Sequence, residues 1–328
     1  MNRIENKPFA ATLLMLAAAG AAQAQSSVKV SGLLDIGVYR DVDGSRHAGT
    51  VQRSNLAFSG VEKLGDGLQA TFRLSHRLDL DTGLPEGAGR KPFWHGESTA
   101  GLKGSFGRLR VGRALTALWD NDYQFDPWDA FDRIASPGWQ FWHYNTATDR
   151  IGNSGSAEYG RLNNGVFYDS PSVGGFTLHL SGTPERSTGT GAGGGRNKGG
   201  SLNYEAGGIA AMLATERNSH GDRVHFAGAR VSIGALTLMG AIDRSRFEAA
   251  QRSTAKVATL GAAYTVGAAT LKAGWGRLDL DGARTGFAGL GAEYALSKRS
   301  SLYASLGRQR LRGGKPSHAH GIGMAHRF

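Results

Sequence analysis

The sequence predicts an all-β protein whose sixteen antiparallel strands, joined in up-and-down order, close into a transmembrane barrel. Three observations lead to this fold class: an N-terminal export segment, a two-residue alternation of apolar and polar side chains, and a regular exchange of short turns with longer loops. The 328 residues include 50 glycines and no cysteine, carry a net charge of +11 and are 40% hydrophobic. This composition excludes a disulfide scaffold and a zinc–thiolate site, and it argues against disorder.

Residues 1–24 predict a signal peptide that is cleaved. A positively charged start precedes an apolar run from Phe9 to Ala22, and Ala22-Gln23-Ala24 has the small-x-small form of a cleavage site. Residues 25–328 are then expected to form one domain. Beyond the export segment no apolar run reaches the roughly 18 residues that a spanning helix needs, so a membrane-spanning chain must use strands.

Strands with one apolar face recur along the chain. From Val28 to Tyr39 the even positions are apolar or glycine, whereas the odd positions carry Lys29, Ser31 and Asp35. The same period of two recurs over residues 68–75, 176–181 and 288–296. This pattern is typical of strands with one face in lipid and one in water.

Short and long connections alternate between these strands, and their number sets the strand count. Seven short turns interleaved with eight longer loops require sixteen strands, at about 19 residues per strand and connection, which suits transmembrane strands. The turns lie at 65–67, 105–107, 171–174, 206–208, 233–234, 266–267 and 297–299, and the loops near 41–51, 81–95, 116–158, 185–197, 218–222, 248–254, 281–285 and 312–317.

A closed barrel explains these features together. In lipid every backbone N–H and C=O group must be paired internally, and strands achieve this only when the sheet has no edge. Sixteen strands enclose a lumen too wide for side chains to fill, so it holds water and tolerates polar inward residues. The alternative is a soluble β-sandwich or propeller, which the export segment and the turn pattern disfavour.

The chain end and several internal segments resemble a known family. The last strand, from His318 to Phe328, looks like the assembly signal of outer-membrane barrels because it ends in Phe328 with alternating apolar positions before it. The chain resembles the general diffusion porins of Gram-negative bacteria, and most closely the trimeric porin group of betaproteobacteria. The segments that carry this resemblance are SGVEKLGDGLQATFRL (59–74), GLKGSFGRLRVGR (101–113), YDSPSVGGFTL (168–178) and ALSKRSSLYASLG (295–307).

This resemblance implies a homotrimer in the outer membrane, in which each barrel is a water-filled channel for passive diffusion of small hydrophilic solutes. It also implies contacts with outer-membrane lipid and lipopolysaccharide, and recognition of Phe328 by the barrel-assembly machinery. We expect no cofactor, no metal, no catalytic residue and no nucleic-acid partner.

The loop at 116–158 is the candidate constriction. It is the most aromatic stretch of the chain, which excludes disorder, and aromatic side chains must find a surface to bury against. In the family that the chain resembles, the third loop folds into the barrel and narrows it. We therefore expect its acids to face the lumen: Asp120, Asp122, Asp126, Asp129 and Asp132.

A basic wall is predicted opposite this loop. Strand parity places Arg53, Arg73, Arg77 and Arg110 on the inward face, and the resemblance adds Arg113 and Arg161. The sequence departs from the family at Asn55, where porins often carry a basic residue. Opposed charges across a narrow water-filled gap orient polar solutes, and excess arginine favours anions.

Three functions remain open at this point. The first is a passive channel that prefers anions. The second is a substrate-selective uptake porin in which the arginines bind a carboxylate or phosphate. The third is a barrel enzyme. Arg73 and Arg77 could instead bind lipopolysaccharide, which is our interpretation of the outward Arg308, Arg310 and Arg312.

Two further motifs are better explained by the barrel. The glycine-rich run at 189–194 formally matches a dinucleotide fingerprint, but it opens no helix and suits a flexible external loop. His318-x-His320 could hold a metal, yet it lies on the predicted last strand. The basic residues alternate along strands, which disfavours a nucleic-acid surface.

Overall fold

Antiparallel strands account for nearly all of the regular structure. The computed structural model describes residues 27–86, 92–145, 160–184, 195–248 and 252–328, so the predicted signal peptide lies outside the described residues. The strands are β1 (Ser27–Arg40), β2 (Arg46–Gly49), β3 (Ser54–Gly65), β4 (Leu68–Leu78), β5 (Glu97–Gly104), β6 (Gly107–Leu115), β7 (Arg161–Asp169), β8 (Phe176–Gly182), β9 (Lys198–Ala206), β10 (Ile209–Arg217), β11 (Arg223–Ile233), β12 (Leu236–Phe247), β13 (Ser253–Val266), β14 (Ala269–Leu280), β15 (Ala283–Ala295), β16 (Ser300–Leu311) and β17 (Ser317–Arg327).

Within the described residues, helical structure is confined to the segment between β6 and β7. It comprises a 3₁₀ turn at Asp122–Phe125, the five-residue helix α1 at Pro137–Phe141, and a second 3₁₀ turn at Trp142–Asn145. Ser136 caps α1 by accepting a hydrogen bond from the Trp139 backbone N–H at 2.9 Å. No helix in the described ranges has the length and apolar character needed to cross a membrane.

The closed sheet has sixteen strand positions, because β2 and β3 together occupy one position beside β1. Residues 37–40 of β1 pair with β2, and residues 27–33 of β1 pair with β3 along the same edge. The remaining strands pair with their neighbours in the chain, and β17 returns to pair with β1. The predicted sixteen-stranded antiparallel barrel is confirmed.

Phe328 completes the seam between the first and last strands. Its backbone exchanges two 3.1 Å hydrogen bonds with Gly32, and pairing continues from Leu33 opposite Arg327 to Arg40 opposite His320. A Cβ atom on Gly32 would lie 2.5 Å from the Phe328 ring, so glycine is needed there. The last residue therefore closes the sheet, while its recognition by the assembly machinery stays a prediction.

The predicted alternation of faces is present in the barrel. On β1, Ile36 and Val38 are 38% and 55% exposed on the outer surface of the barrel. On the opposite parity, Asp35 is fully buried on the inner face and accepts a 2.7 Å hydrogen bond from the hydroxyl of Tyr303. One face of each strand therefore suits hydrocarbon and the other suits a polar interior.

The turn pattern holds with one exception. All seven predicted short turns join neighbouring strands. The predicted long loop at 281–285 is wrong, because β14 and β15 are joined by only Asp281 and Gly282. These two residues have φ of 49° and 90°, the left-handed pair that a tight two-residue hairpin requires.

Candidate functional site

Residues 116–145 lie inside the barrel, along the inner wall of β11 to β17. Inward glycines on this wall allow the segment to approach closely: a Cβ atom on Gly289 or Gly307 would overlap the backbone carbonyl of Ala135 or Ile134. We call these residues the glycine track, and each would bring an added Cβ within 2.9 Å of the segment. They are Gly228, Gly261, Gly274, Gly276, Gly289, Gly291, Gly307 and Gly321.

Four aromatic side chains of the segment are buried between it and the barrel wall. Phe125, Trp128, Phe141 and Trp142 are each 5% exposed or less. The indole N–H of Trp142 donates a 3.1 Å hydrogen bond to the Thr259 hydroxyl on β13. The segment is therefore packed and hydrogen-bonded against one side of the barrel, which narrows the lumen from that side.

Two of the five predicted lumen acids serve the internal structure of the segment instead. The Asp126 carboxylate is 3% exposed and accepts three backbone N–H groups of the segment, at 2.9 to 3.2 Å. Asp132 is fully buried and accepts two backbone N–H groups as well as the Ser305 hydroxyl, the latter at 2.6 Å. Burial raises the pKa of Asp126 to about 6. The prediction that these acids face the lumen is wrong, because short acidic side chains satisfy turn amides more readily than they extend into water.

A third predicted lumen acid, Asp122, belongs to a buried charge cluster centred on His143. The imidazole Nε2 lies 2.6 Å from Asp122 Oδ2, and Nδ1 lies 2.5 Å from Asp243 Oδ2 on β12. The backbone N–H of His143, whose φ is 54°, donates to the same Asp243 oxygen at 2.9 Å. We call this group the histidine clamp. Asp122 is 4% exposed and so does not line the channel either.

The histidine clamp holds its imidazole in the charged form. Burial lowers the pKa of His143, but the carboxylates of Asp243 and Asp122 outweigh it and raise the pKa to about 10. Since the folded pKa lies above the ordinary value of 6.5, the clamp's stabilising contribution is complete below about pH 6.5 and is lost as pH rises through 10. At neutral pH the clamp therefore attaches the C-terminal end of residues 116–145 to β12.

The remaining two predicted acids are accessible. The Asp120 side chain is 41% exposed, and its carboxylate lies 3.5 Å from the Arg110 guanidinium. Asp129 is exposed and, like His143, has a left-handed backbone, with φ of 54°. Of these two accessible acids, Asp120 is the one that lines the cavity beside the arginines of the opposite wall.

Arginines on β4 and β6 share carboxylates across the opposite wall. Arg73 Nε and Arg110 Nη1 each lie 3.0 Å from Glu97 on β5, which stands between them. Arg108 contacts Asp169 on β7 at 2.7 Å, and Arg110 lies 3.6 Å from the same carboxylate. The side chains of Arg73 and Arg108 are 43% and 42% exposed, so both remain partly in lumen water.

A second group of arginines surrounds the loop between β4 and β5. Arg77 forms a buried ion pair with Glu86 of that loop, and Arg133 lies 3.5 Å from the same glutamate. Burial alone would raise the pKa of Glu86. The charges of the surrounding arginines, Arg77 and Arg53 first among them, outweigh burial and lower this pKa. Arg53 lies 4.3 Å above the ring of Phe131, a cation–π contact to the infolded segment.

Arg113 and Arg161 are also buried, at 8% and 4% exposure. Arg113 Nε donates to the backbone carbonyl of His95 at 2.9 Å, and Arg161 Nε donates to that of Gly96 at 2.6 Å. These two arginines therefore secure the chain as it enters β5, and Arg113 lies behind the surface that a solute would meet.

Between the arginine wall and the infolded segment lies a cavity of about 420 Å³. Its charged lining consists of six arginines and two acids, a formal excess of four positive charges. Counting Glu86 and Asp169, which pair with lining arginines, leaves an excess of two. The lining charges are Arg53, Arg73, Arg77, Arg108, Arg110, Arg161, Glu97 and Asp120.

Sequence reasoning missed three acids of this site, Glu97, Glu86 and Asp169. Glu97 and Asp169 lie at strand ends on the inward parity, at positions where the alternation could have indicated them. Glu86 lies in a loop without periodicity, so nothing local indicates that it turns inward. Arg108 had inward parity but was not placed in the predicted wall.

Comparison with known sequences shows where this chain has relatives. A profile described as Gram-negative porin matches residues 10–314. Outer membrane porin protein 32 of Delftia acidovorans is 30% identical over 319 residues, covering 90% of this chain and 87% of the relative. An outer membrane porin protein of Bordetella pertussis is 29% identical over 195 residues, covering 53% of this chain and 47% of the relative.

Solved structures show the same architecture. The anion-selective porin from Comamonas acidovorans superposes with a TM-score of 0.80 at 25% identity, covering 93% of this chain and 100% of that one. OmpT of Vibrio cholerae, solved in a trimer form, gives a TM-score of 0.69 at 13% identity, over 92% and 99% of the two chains. At that identity the second likeness shows the fold alone.

Proposed function

The chain belongs to the Gram-negative porin family, whose members are water-filled outer-membrane channels for passive diffusion of small hydrophilic solutes, and we propose that its constriction favours anions. The observation that carries the proposal is the charge of the 420 Å³ cavity, where six arginines face two acids. Guanidinium groups stay charged at every relevant pH, so the excess persists across the range in which the protein works.

The two walls of the cavity have unequal charge, which supports a field across the channel. Arginines of β4, β6 and β7 stand on one side, and the infolded segment contributes Asp120 on the other. A polar solute can align its dipole with such a field, whereas an apolar solute would have to displace ordered water. An anion can pass from Arg108 to Arg73 along partly exposed guanidinium groups without entering a dry pocket.

Reversal potentials test this proposal. The purified full chain is reconstituted in a planar bilayer under a KCl gradient, and the sign of the potential at zero current reports which ion carries the current. A reversal potential of the same sign as the equilibrium potential of chloride supports the proposal. A reversal potential of the same sign as the equilibrium potential of potassium contradicts the anion preference. The absence of conductance contradicts the channel itself.

A selective uptake channel is the second candidate, and one observation favours it. Arg53, Arg77 and Arg161 line the same cavity from neighbouring elements, and a carboxylate or phosphate could contact more than one of them at once. This candidate expects one organic anion to block the chloride current saturably at low concentration. Block that rises only in proportion to concentration, with no solute preferred, would favour general diffusion.

We further propose that the chain has no hydrolytic activity, because both acids of the cavity, Glu97 and Asp120, lie against arginines and not against a nucleophile. Purified protein should leave ester and peptide substrates intact. Hydrolysis that is lost on substitution of His143 or Asp122, with conductance retained, would contradict this.

The outer surface supports a homotrimer. Among the described residues, the outward positions of β3 to β7 carry no arginine or lysine, whereas β9 to β17 carry many. A surface that is covered by a second copy does not contact lipid headgroups, so it does not need charged side chains. We therefore place the subunit contact on the outward face of β3 to β7, which we call the uncharged arc. Its outward side chains include Leu56, Phe58, Phe72, Leu74, Ala100, Leu102, Leu109 and Val111.

Native mass measurement in detergent tests the trimer. Leu102→Arg adds a charge to the uncharged arc and should release monomers, whereas Leu290→Arg on β15 should leave the trimer intact. A monomeric wild type, or equal effects of the two variants, would contradict the assignment.

A further inference from the structure

A second, smaller cavity of about 180 Å³ is enclosed mostly by the infolded segment. Five aromatic side chains line it, and we call it the aromatic pocket: Trp119, Tyr123, Phe131, Trp139 and Trp142. Arg53 and Leu115 contribute to its lining from the barrel wall. An apolar cavity of about 150 Å³ is large enough to bind one benzene ring, so the aromatic pocket can hold a ring of that size.

Aromatic surface of this pocket remains accessible from the channel. Tyr123 is 43% exposed, and Trp119, Phe131 and Trp139 are half-buried. The rings of Tyr123 and Phe131 are nearly parallel, with 17° between their planes and 6.4 Å between their centroids. An accessible apolar pocket with a few polar groups at its margin is typical of a ligand site, and a wall that only passes hydrated ions does not need one.

The aromatic pocket adjoins the 420 Å³ cavity, because Arg53, Leu115, Asp120 and Phe131 line both. Arg53 supplies a positive charge at this junction. Its guanidinium lies 4.3 Å from the ring centroid of Phe131 and 5.8 Å from that of Trp139. A guanidinium can stack on a ring through its flat face while its edge donates to a carboxylate. The junction therefore brings aromatic surface and anion-binding charge within the length of one small molecule.

The charges around the junction favour a carboxylate over an amine. Of the acids that line the aromatic pocket, Asp122 is already bonded to Nε2 of His143 at 2.6 Å, and Asp120 lies 3.5 Å from Arg110. In the adjoining cavity six arginines face two acids. A small inorganic anion would use only the arginines, and a neutral ring would use only the aromatic pocket. An occupant that uses both carries a ring and a carboxylate a few bonds apart.

We propose that the aromatic pocket and the adjoining cavity together form a binding site for small aromatic monocarboxylates, of which benzoate is the simplest. The ring lies among Tyr123, Phe131 and Trp139, and the carboxylate accepts hydrogen bonds from Arg53 and the arginines beside it. This assignment names the substrate class of the selective-uptake candidate and so rests on the proposed channel function. It does not depend on the preference of the channel for chloride over potassium.

The test measures block of the chloride current by benzoate at pH 7 in planar bilayers that hold the purified full chain. Benzoate should block saturably, with half-block at a concentration about tenfold or more below that of acetate, which lacks the ring. Cyclohexanecarboxylate has the charge and similar bulk but no aromatic face, and should need a concentration about two- to tenfold above that of benzoate. Benzylamine and benzyl alcohol, which carry the ring without the carboxylate, should give no saturable block.

Two variants test the pocket itself. Trp139→Leu and Tyr123→Leu each remove one ring without changing charge, and should raise the half-block concentration of benzoate about threefold or more while that of acetate is unchanged. Because Tyr123 is partly exposed, its replacement keeps the segment folded even where loss of Trp139 disturbs it. Trp275→Leu makes the same kind of change on the outer face of β14, where Trp275 is 45% exposed, and should not alter the block.

Equal block by benzoate and cyclohexanecarboxylate overturns the proposal, as does equal block by benzoate and benzylamine. An equal change of benzoate block in Tyr123→Leu and Trp275→Leu overturns it as well. The reversal potential in KCl without benzoate is recorded on the same channels. A potential of the sign of chloride with no saturable benzoate block overturns this site and leaves the anion preference standing. Saturable block in a channel that prefers potassium supports the site and contradicts the anion preference.

Discussion

Neutralising Arg73 and Arg108 should reduce anion preference without disturbing the barrel. Strand parity puts Arg73 and Arg77 on the same inward face, but the two differ in exposure. Arg77 is 4% exposed and paired with Glu86, whereas the side chains of Arg73 and Arg108 are partly in water. After this change Glu97 and Asp169, the partners of Arg73 and Arg108, would still be in contact with Arg110. The double change to glutamine therefore leaves no carboxylate without a cation.

The expected size of the effect follows from the charges of the cavity. An ion that passes about 7 Å from a unit charge in water interacts with it by about 0.6 kcal/mol. Loss of two arginines changes the free-energy difference between anion and cation by about 2.4 kcal/mol, and screening over a Debye length of about 10 Å roughly halves this. The anion-to-cation permeability ratio should fall by roughly sevenfold. It should fall close to one and not invert, because four arginines then face four acids once Glu86 and Asp169 are counted.

The assay is the reversal potential of single channels under a KCl gradient at about 0.1 M mean ionic strength. Arg308→Gln with Arg310→Gln removes the same charge from the outward face of β16 and serves as the control, with an unchanged ratio expected. If the inward pair left the permeability ratio unchanged in a folded, conducting barrel, the reasoning from the arginine wall would be refuted.

Four further predictions concern the constriction and the wall beside it. Asp243→Asn removes one carboxylate from the buried His143, at a cost of about 3–5 kcal/mol, and should raise mean single-channel conductance as the segment detaches. In wild type the same rise should appear as pH approaches 10, because His143 then loses its proton. Gly289→Val should displace the infolded backbone and admit larger sugars in liposome swelling. Arg77→Glu should lower the free energy of unfolding in urea by about 3–5 kcal/mol, since it opposes buried Glu86.

Each of these changes has a matched control. Asp279→Asn alters an outward-facing acid of β14 that is paired with Arg284, far from the segment. Gly286→Val alters a glycine with no atom within 4 Å of its would-be Cβ, and Arg73→Glu places a carboxylate at a partly exposed position. Equal effects of test and control variants would contradict the corresponding contact. A conductance that stays constant well above the pKa of about 10 would contradict the histidine clamp.

Alternation along the strands was sufficient to predict the barrel. Val28, Ile36 and Leu290 face outward, as their parity indicates, because side chains of a strand must point to opposite faces in turn. The seven turns followed from local glycine and polar residues. The one failure, at 281–285, arose because polar residues of an extended hairpin resemble those of a loop.

The loop acids show where sequence reasoning ends. Composition correctly indicated an ordered, aromatic segment over residues 116–145, while 146–158 lie outside the described residues, but it did not indicate that Asp122, Asp126 and Asp132 would be buried. Their partners include His143 in the same segment and Ser305 on β16, which is 173 residues from Asp132 in the chain. No periodicity relates such partners, so the parity argument could not distinguish a lumen acid from a structural one.

The sequence by itself determined that the strands close into a hollow barrel with an inward basic wall, because strand parity is a local property with a period of two. Only the tertiary structure decided which carboxylates reach the water, which arginines remain accessible, and that the infolded segment rests on the glycine track. Those outcomes depend on packing between an aperiodic loop and distant strands, where volume and hydrogen-bond geometry choose the partners.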